Sequence, residues 1–264
     1  MISGSVMAWL YVCLAATLVF PVVFLIVMCW KKKLSVKPVL LGLAAFFVSQ
    51  ICIRVPILQA ISTTGWFRAF AENTVPYALV LAFTAGLFEE TARLVCVRFF
   101  LKKQRSFRDA VSFGLGHGFC EVVLIVGLTQ INNLIYAVMI NSGTFQAATA
   151  ALPPSSSKAI LSAILTLTPT VLFISIWERV SAVLFHLFES VLIFRGVNEH
   201  KTALYYVLAV AAHTVMDASS VLVSKYGGMW LCEAVVCVLA LAGISYVLKT
   251  RGSFRKSTPA ETAV

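Results

Sequence analysis

Seven stretches of this chain, Val6–Trp30, Val39–Ala60, Val75–Phe100, Ala110–Asn132, Thr170–Phe194, Thr202–Val223 and Met229–Leu248, are each long and apolar enough to cross a bilayer core. A helix rises 1.5 Å per residue, so about 20 residues span roughly 30 Å of hydrocarbon. Hydrocarbon offers no partner to backbone N–H and C=O groups, which favours helices that satisfy their own. The chain therefore reads as all-α, a polytopic transmembrane helical bundle forming one integral-membrane domain over residues 1–264. Two weaker stretches, Leu134–Ala151 and Ser157–Thr168, are interrupted by Asn141, Ser142, Gly143 and the Pro153-Pro154 pair and read as interfacial or re-entrant pieces. Hydrophobic residues make up 60% and charged residues 12% of the chain, with mean hydropathy +0.92, which excludes a soluble domain and a disordered chain alike. The first stretch has no basic flank before it and outruns a signal-peptide core, so it reads as a retained span. None of the seven cysteines forms a CxxC pair, and within apolar spans they act as small hydrophobes.

The net charge of +10 invites a nucleic-acid reading until the basic residues are placed. Alternate loops divide them unevenly. One side holds Lys31, Lys32, Lys33, Lys37, Arg98, Lys102, Lys103, Arg105, Arg108, Arg195, Lys201, Lys249, Arg251, Arg255 and Lys256, fifteen in all. The other holds Arg68, Lys158 and Lys225, and Arg54, Arg93 and Arg179 fall within spans. Positive loops stay cytoplasmic, so the N-terminus lies outside, the basic tail 249–264 lies inside, and the excess charge calls for no nucleic acid. The expected setting is multi-pass, in the cell (plasma) membrane. Reporter fusions after Lys33, Arg105 and Arg255 should all report cytoplasm, and an extracytoplasmic signal at Arg105 would invert the topology.

The informative residues are the ionisable ones inside spans: Glu89, Glu90, Glu121, Glu178, Glu189, Asp217 and Glu233, with His117, His186 and His213. A charged group at a helix centre costs roughly 2.5–3.5 kcal/mol even on insertion scales, so such groups face one another or a wet cavity. Glu189, near a span end, and Glu233, at the outer start of the last span, read as structural pairs. Glu90, His117, His186 and His213 come from four spans yet lie at similar depth, roughly 11–17 Å from the cytoplasmic end, which places one polar site in the inner half of the membrane. Glu89 and Arg93, His117 and Glu121, and His213 and Asp217 are i,i+4 pairs on shared faces. Arg179 lies about 20° from the face of His186, and Glu178, pointing roughly 80° away from His186, reads as a partner that orients Arg179. Gly114, Gly116 and Gly118 open the surroundings of His117 to close approach. No strand precedes them and no GK[ST] follows, so they are not a phosphate loop, and HExxH is absent. Three histidines with carboxylates suit zinc, with His117, His186, His213 and Asp217 as ligands. A proton-coupled or metal-ion transporter would also bury such groups, but the chain lacks the repeats and broken helices of that class. A non-catalytic scaffold of the same fold is the third reading.

In sequence order the polar spans read Gly86-Leu-Phe-Glu89-Glu90-Thr-Ala-Arg93, Phe113-Gly-Leu-Gly-His117-Gly-Phe-Cys-Glu121, Trp177-Glu178-Arg179 through His186, and His213-Thr-Val-Met-Asp217. This pattern resembles the YhfC family of intramembrane metalloproteases, within the superfamily of CAAX prenyl endopeptidases, bacteriocin-processing CPBP proteins and PrsW. The resemblance runs from residue 6 to residue 248. It implies a protease acting on a membrane-protein or membrane-associated peptide substrate. Glu89 or Glu90 would activate water, with Arg93 as the basic residue of that motif. Phe113 and His117 would match FxxxH, His213 and Asp217 HxxxN/D, and His186 the additional histidine of PrsW-like members. The spacing here is EExxR where the superfamily has EExxxR, and Asp217 stands where prenyl proteases have Asn. Adjacent glutamates point about 100° apart, so one is the base. Pairing of Arg93 with Glu89 would favour Glu90, whereas the resemblance favours Glu89, and the expectation adopted is Glu89 first and Glu90 second.

Overall fold

The structure, a computed structural model, describes residues 1–255, so Lys256 and the rest of the basic tail lie outside the described residues. Among the described residues it is all helix, with no strand. Six helices are long and apolar enough to cross a membrane: α1 (Gly4–Trp30), α2 (Val36–Ser62), α4 (Phe107–Asn141), α5 (Pro169–Asn198), α6 (Thr202–Gly227) and α7 (Met229–Thr250). The seventh long helix, α3, runs Thr74–Val95 and on through a π-helical turn at Cys96–Phe100. It carries Glu89, Glu90 and Arg93, which lower its apolar character.

Helix boundaries reflect local chemistry. Ser3 Oγ accepts from Val6 N at the start of α1, and Ser106 and Asp109 cap α4 reciprocally, the Ser106 N donating to Asp109 Oδ2 at 2.9 Å and the Asp109 N to Ser106 Oγ at 3.2 Å. Pro169 opens α5, where a missing N–H costs nothing. Inside α1 and α2, Pro21 and Pro56 remove a helical donor, and each is preceded by a π-helical stretch, Ala15–Val19 and Phe47–Arg54. There Phe20 N reaches Ala15 O and Val55 N reaches Gln50 O.

One expectation is corrected in α4. Instead of ending at Asn132 and giving way to an interfacial piece, the helix runs unbroken to Asn141. Two of its polar residues find partners, one within the helix and one at the start of the chain: Asn133 Nδ2 donates to Gln130 Oε1 at 3.2 Å, and Asn141 Oδ1 accepts from Ile2 N at 2.6 Å. Two short helices, Phe145–Ala148 and Pro154–Leu165, then lead towards α5.

The chain divides into two compact units. One comprises Met1–Phe24 with Glu121–Arg179, and its apolar core is built from Leu10, Cys13, Ala137, Ile164 and Leu172. The other comprises Leu25–Cys120 with the chain from Val180 onward, and centres on Val97, Leu101, Phe113, Val191, Ile193 and Phe194.

Candidate active site

The polar cluster lies wholly within the second unit. Glycines set its spacing. An added Cβ on Gly116 would stand 2.3 Å from Val39 O, and one on Gly42 2.2 Å from Phe113 O, so α2 and α4 touch backbone to backbone just beside His117. Gly114 meets Leu187 Cα and His186 O at 2.9–3.0 Å, which brings α5 against the same turn of α4. Gly86 lets α6 approach α3 one turn before Glu90, where an added Cβ would lie 3.0 Å from His213 Cβ. These approaches deliver His117, His186 and His213 to one place from three helices.

Two groups of donor atoms result, each with its atoms within 4.8 Å of one another: Glu89, His117 and His186 in the first, and Glu90, Glu189 and His213 in the second. All six residues are buried. In the first, His117 Nε2 lies 2.8 Å from Glu89 Oε2, and the His117 and His186 rings are 4.8 Å apart. Gln50 Nε2 donates to Glu89 Oε1 at 2.7 Å, and Arg54 Nη1 donates to Gln50 Oε1 at 3.0 Å. In the second, His213 Nδ1 lies 3.2 Å from Glu90 Oε1 and 3.0 Å from Glu189 Oε1. Arg93 closes this group, its Nε 3.1 Å from Glu90 Oε2 and its Nη2 3.4 Å from Glu189 Oε2, while Nη1 donates to His186 O at 3.0 Å and to Ser190 Oγ. His213 Nε2, 3.9 Å from Glu89 Oε2, joins the two groups.

Several sequence expectations change here. Arg93, expected beside Glu89 at i,i+4, forms its ion pair with Glu90 at i,i+3. Glu121 and Arg179 belong to the first unit, where Arg179 Nη1 and Nη2 each donate at 2.6 Å, to Glu121 and to Glu178. Asp217 lies 3.6 Å from His213 Nε2, but its side chain is 41% exposed and it enters neither donor group. Among the described residues the expected ligands His117, His186, His213 and Asp217 do not fall in one donor group; the three histidines are shared between two three-residue groups. Glu189, read as a structural pair near a span end, is fully buried at the heart of the cluster because α5 continues to Asn198. Sequence reasoning passed over Gln50 as well, although a glutamine and an arginine at i,i+4 in an apolar span just before a proline were a readable signal.

The donors of the first group fit a divalent metal. Two imidazoles and one carboxylate are the His₂Glu set of catalytic zinc sites, which leave a fourth position open. Three buried carboxyl groups, of Glu89, Glu90 and Glu189, stand beside one buried guanidinium, that of Arg93.

Comparison with known proteins points the same way. The uncharacterized membrane protein YhfC of Bacillus subtilis (strain 168) is 26% identical over 262 residues, covering 97% of this chain and all of that protein. No solved structure matches the chain. A family model described as YhfC intramembrane metalloprotease matches residues 17–239, a range that contains every residue of both donor groups. An integral, multi-pass helical chain with a buried glutamate–histidine centre, matched over most of its length, belongs to the YhfC intramembrane metalloprotease family.

Proposed function

We propose that the protein hydrolyses peptide bonds of a membrane-protein or membrane-associated peptide substrate, at a site in the cytoplasmic half of the cell membrane. The observation that carries this reading is the desolvated convergence of Glu89, His117 and His186, whose donor atoms lie within 4.8 Å of one another. These three residues would hold the metal, for which zinc suits the donor set. When bound, such a metal polarises a carbonyl and lowers the pKa of water to near neutrality.

The remaining chemistry belongs to side chains. His213 Nδ1 faces two acceptors within hydrogen-bond reach, Glu90 at 3.2 Å and Glu189 at 3.0 Å, whereas the carboxylates near Nε2, of Asp217 at 3.6 Å and Glu89 at 3.9 Å, stand beyond it, so the Nδ1 proton is the one held and Nε2 is the nitrogen that exchanges. His213 Nε2 takes a proton from water as the water oxygen adds to the scissile carbonyl carbon. The same nitrogen then passes the proton to the leaving amide nitrogen as the C–N bond breaks, giving a carboxylic acid and an amine. Gln50 holds Glu89 Oε1, which fixes the carboxylate through its second oxygen. In this reading Glu89 would be a ligand and His213 the proton acceptor, whereas the motif resemblance implies Glu89 as the base.

The test is elemental analysis coupled to peptide cleavage. Detergent-purified protein should retain about one zinc per chain, as a three-ligand catalytic site does. His117→Ala and His186→Ala should lose the metal together with cleavage of membrane peptides, whereas His213→Ala should keep the metal and lose cleavage. Wild-type protein that is metal-free yet proteolytic would overturn the ligand set, and a wild-type protein that cleaves no member of a broad membrane-peptide panel would overturn the protease.

A further inference from the structure

The carboxylate of Glu189 reaches two imidazoles at once. Its Oε2 lies 3.1 Å from His186 Nδ1 and its Oε1 3.0 Å from His213 Nδ1. We infer that Glu189 is the positioning residue of the centre, one carboxylate that sets the ring orientation and the tautomer of both His186 and His213. The inference rests on the proposed roles of His186 as ligand and His213 as proton acceptor, and it assigns how those two roles are prepared together.

The tautomers are set by donor and acceptor types. An ionised carboxylate only accepts, so each Nδ1 facing Glu189 carries a hydrogen. At His213 the other neighbour of Nδ1, Glu90 Oε1, is also an acceptor and favours the same tautomer. At His186 there is a competitor: Arg93 Nη2, a donor, stands 3.4 Å from the same Nδ1. Arg93 would demand the opposite tautomer. The carboxylate is closer, at 3.1 Å, and Arg93 already commits its N–H groups to His186 O, Ser190 Oγ and Glu189 itself. Glu189 therefore decides the tautomer.

Local geometry makes Glu189 rigid enough for this work. It sits one helical turn from His186, at i,i+3, on fully buried backbone whose next residue, Ser190, donates to His186 O at 2.8 Å. Arg93 ties Glu189, Ser190 and the His186 carbonyl into one unit from across the helix pair. A ligating histidine whose other nitrogen donates to a carboxylate is held in place, and loss of such a partner typically costs about 10–100-fold in metal affinity. Here one carboxylate serves two histidines, so its removal should disturb both the metal and the proton acceptor.

The experiment uses the full-length protein in lipid bilayers, labelled with ¹⁵N-histidine, and zinc titration of the same samples. The chain has four histidines, and His200→Gln identifies the one outside the cluster. In the wild type, His186 and His213 should both show protonated Nδ1. Glu189→Gln, which keeps the shape but offers a single acceptor oxygen, should shift the imidazole signals of at least one of the two and weaken zinc binding by about 10–100-fold. Glu189→Asp keeps the charge opposite Arg93 but withdraws the oxygens from both rings, and should show the same losses in a protein that folds. Glu199→Gln, which alters a carboxylate bonded to Arg195 and Tyr205 outside the cluster, should leave the signals and the zinc affinity unchanged. Wild-type spectra with a bare Nδ1 on either His186 or His213 would overturn the inference without any variant, as would unchanged signals and zinc affinity in either Glu189 variant. A wild type that binds no zinc would end the metal reading alone, because the tautomers still report on Glu189.

Discussion

Glu89→Gln should yield a folded, membrane-inserted protein that has lost its metal and at least about 10³-fold of its peptide-cleaving rate, since a metal supplies several kcal/mol of transition-state stabilisation and each 1.36 kcal/mol is a factor of ten. The fold should survive because the substituted amide has the same shape and still offers an oxygen to Gln50 Nε2, now 2.7 Å from Glu89 Oε1. Glu90→Gln should behave differently. Glu90 is fully buried against Arg93, and a glutamine there gives up a charge-assisted contact worth about 1.5–3 kcal/mol while Arg93 keeps Glu189. The expected result is poor folded yield with metal still bound in the fraction that folds. Size-exclusion yield, zinc content and cleavage measured side by side separate the two glutamates. A Glu89→Gln protein that keeps zinc but is inert would return Glu89 to the role of base, and an active one would remove it from the site.

Gly116→Ala and Gly42→Ala should each destabilise the protein more than most core substitutions. The added methyl would meet backbone, not the yielding end of a side chain: Val39 O at 2.3 Å in one case, Phe113 O at 2.2 Å and His117 N at 2.8 Å in the other. Overpacking typically costs about 1–3 kcal/mol and occasionally more, and backbone contacts place these two at or above the upper end. Since Gly42 borders His117 directly, its variant should also lose zinc affinity. Gly65, with nothing within 4 Å of an added Cβ, is the control. Thermal unfolding in one detergent checks all three, and a Gly116→Ala midpoint equal to that of Gly65→Ala would show that the α2–α4 contact is looser than it looks.

The helices were legible in the sequence because a spanning segment must be both long and apolar, and six observed helices contain or closely match the expected stretches. The exceptions have local causes. Asn132 and Asn133 looked like an ending, but a side-chain amide can be satisfied inside a helix, as Asn133 is by Gln130. Glu189 looked peripheral because depth was counted from Phe194, whereas α5 extends to Asn198 and carries Glu189 inward. Within the site, shared depth correctly drew Glu90 and the three histidines together, since depth is one-dimensional and depends on rise per residue alone. Partner choice was not legible in the same way. Both i,i+3 and i,i+4 lie on one face, and whether Arg93 meets Glu89 or Glu90 depends on which side of α3 the other helices occupy, as does the capture of Gln50 from α2.

The way α3 is packed bears on how the protein is made. Glu89, Glu90 and Arg93 each burden insertion of that helix by about 2.5–3.5 kcal/mol while it is alone in lipid. Their partners emerge from the ribosome in sequence: His117 arrives 28 residues after Glu89, Glu189 comes 96 residues after Arg93, and His213 is 123 residues beyond Glu90. At roughly 5–20 residues per second, the last of these intervals is about 6–25 s. For that time α3 is a half-neutralised segment that the translocation machinery or its neighbours must hold, so the third long helix to be synthesised is among the last to settle, and the centre closes only when α6 has come down beside it.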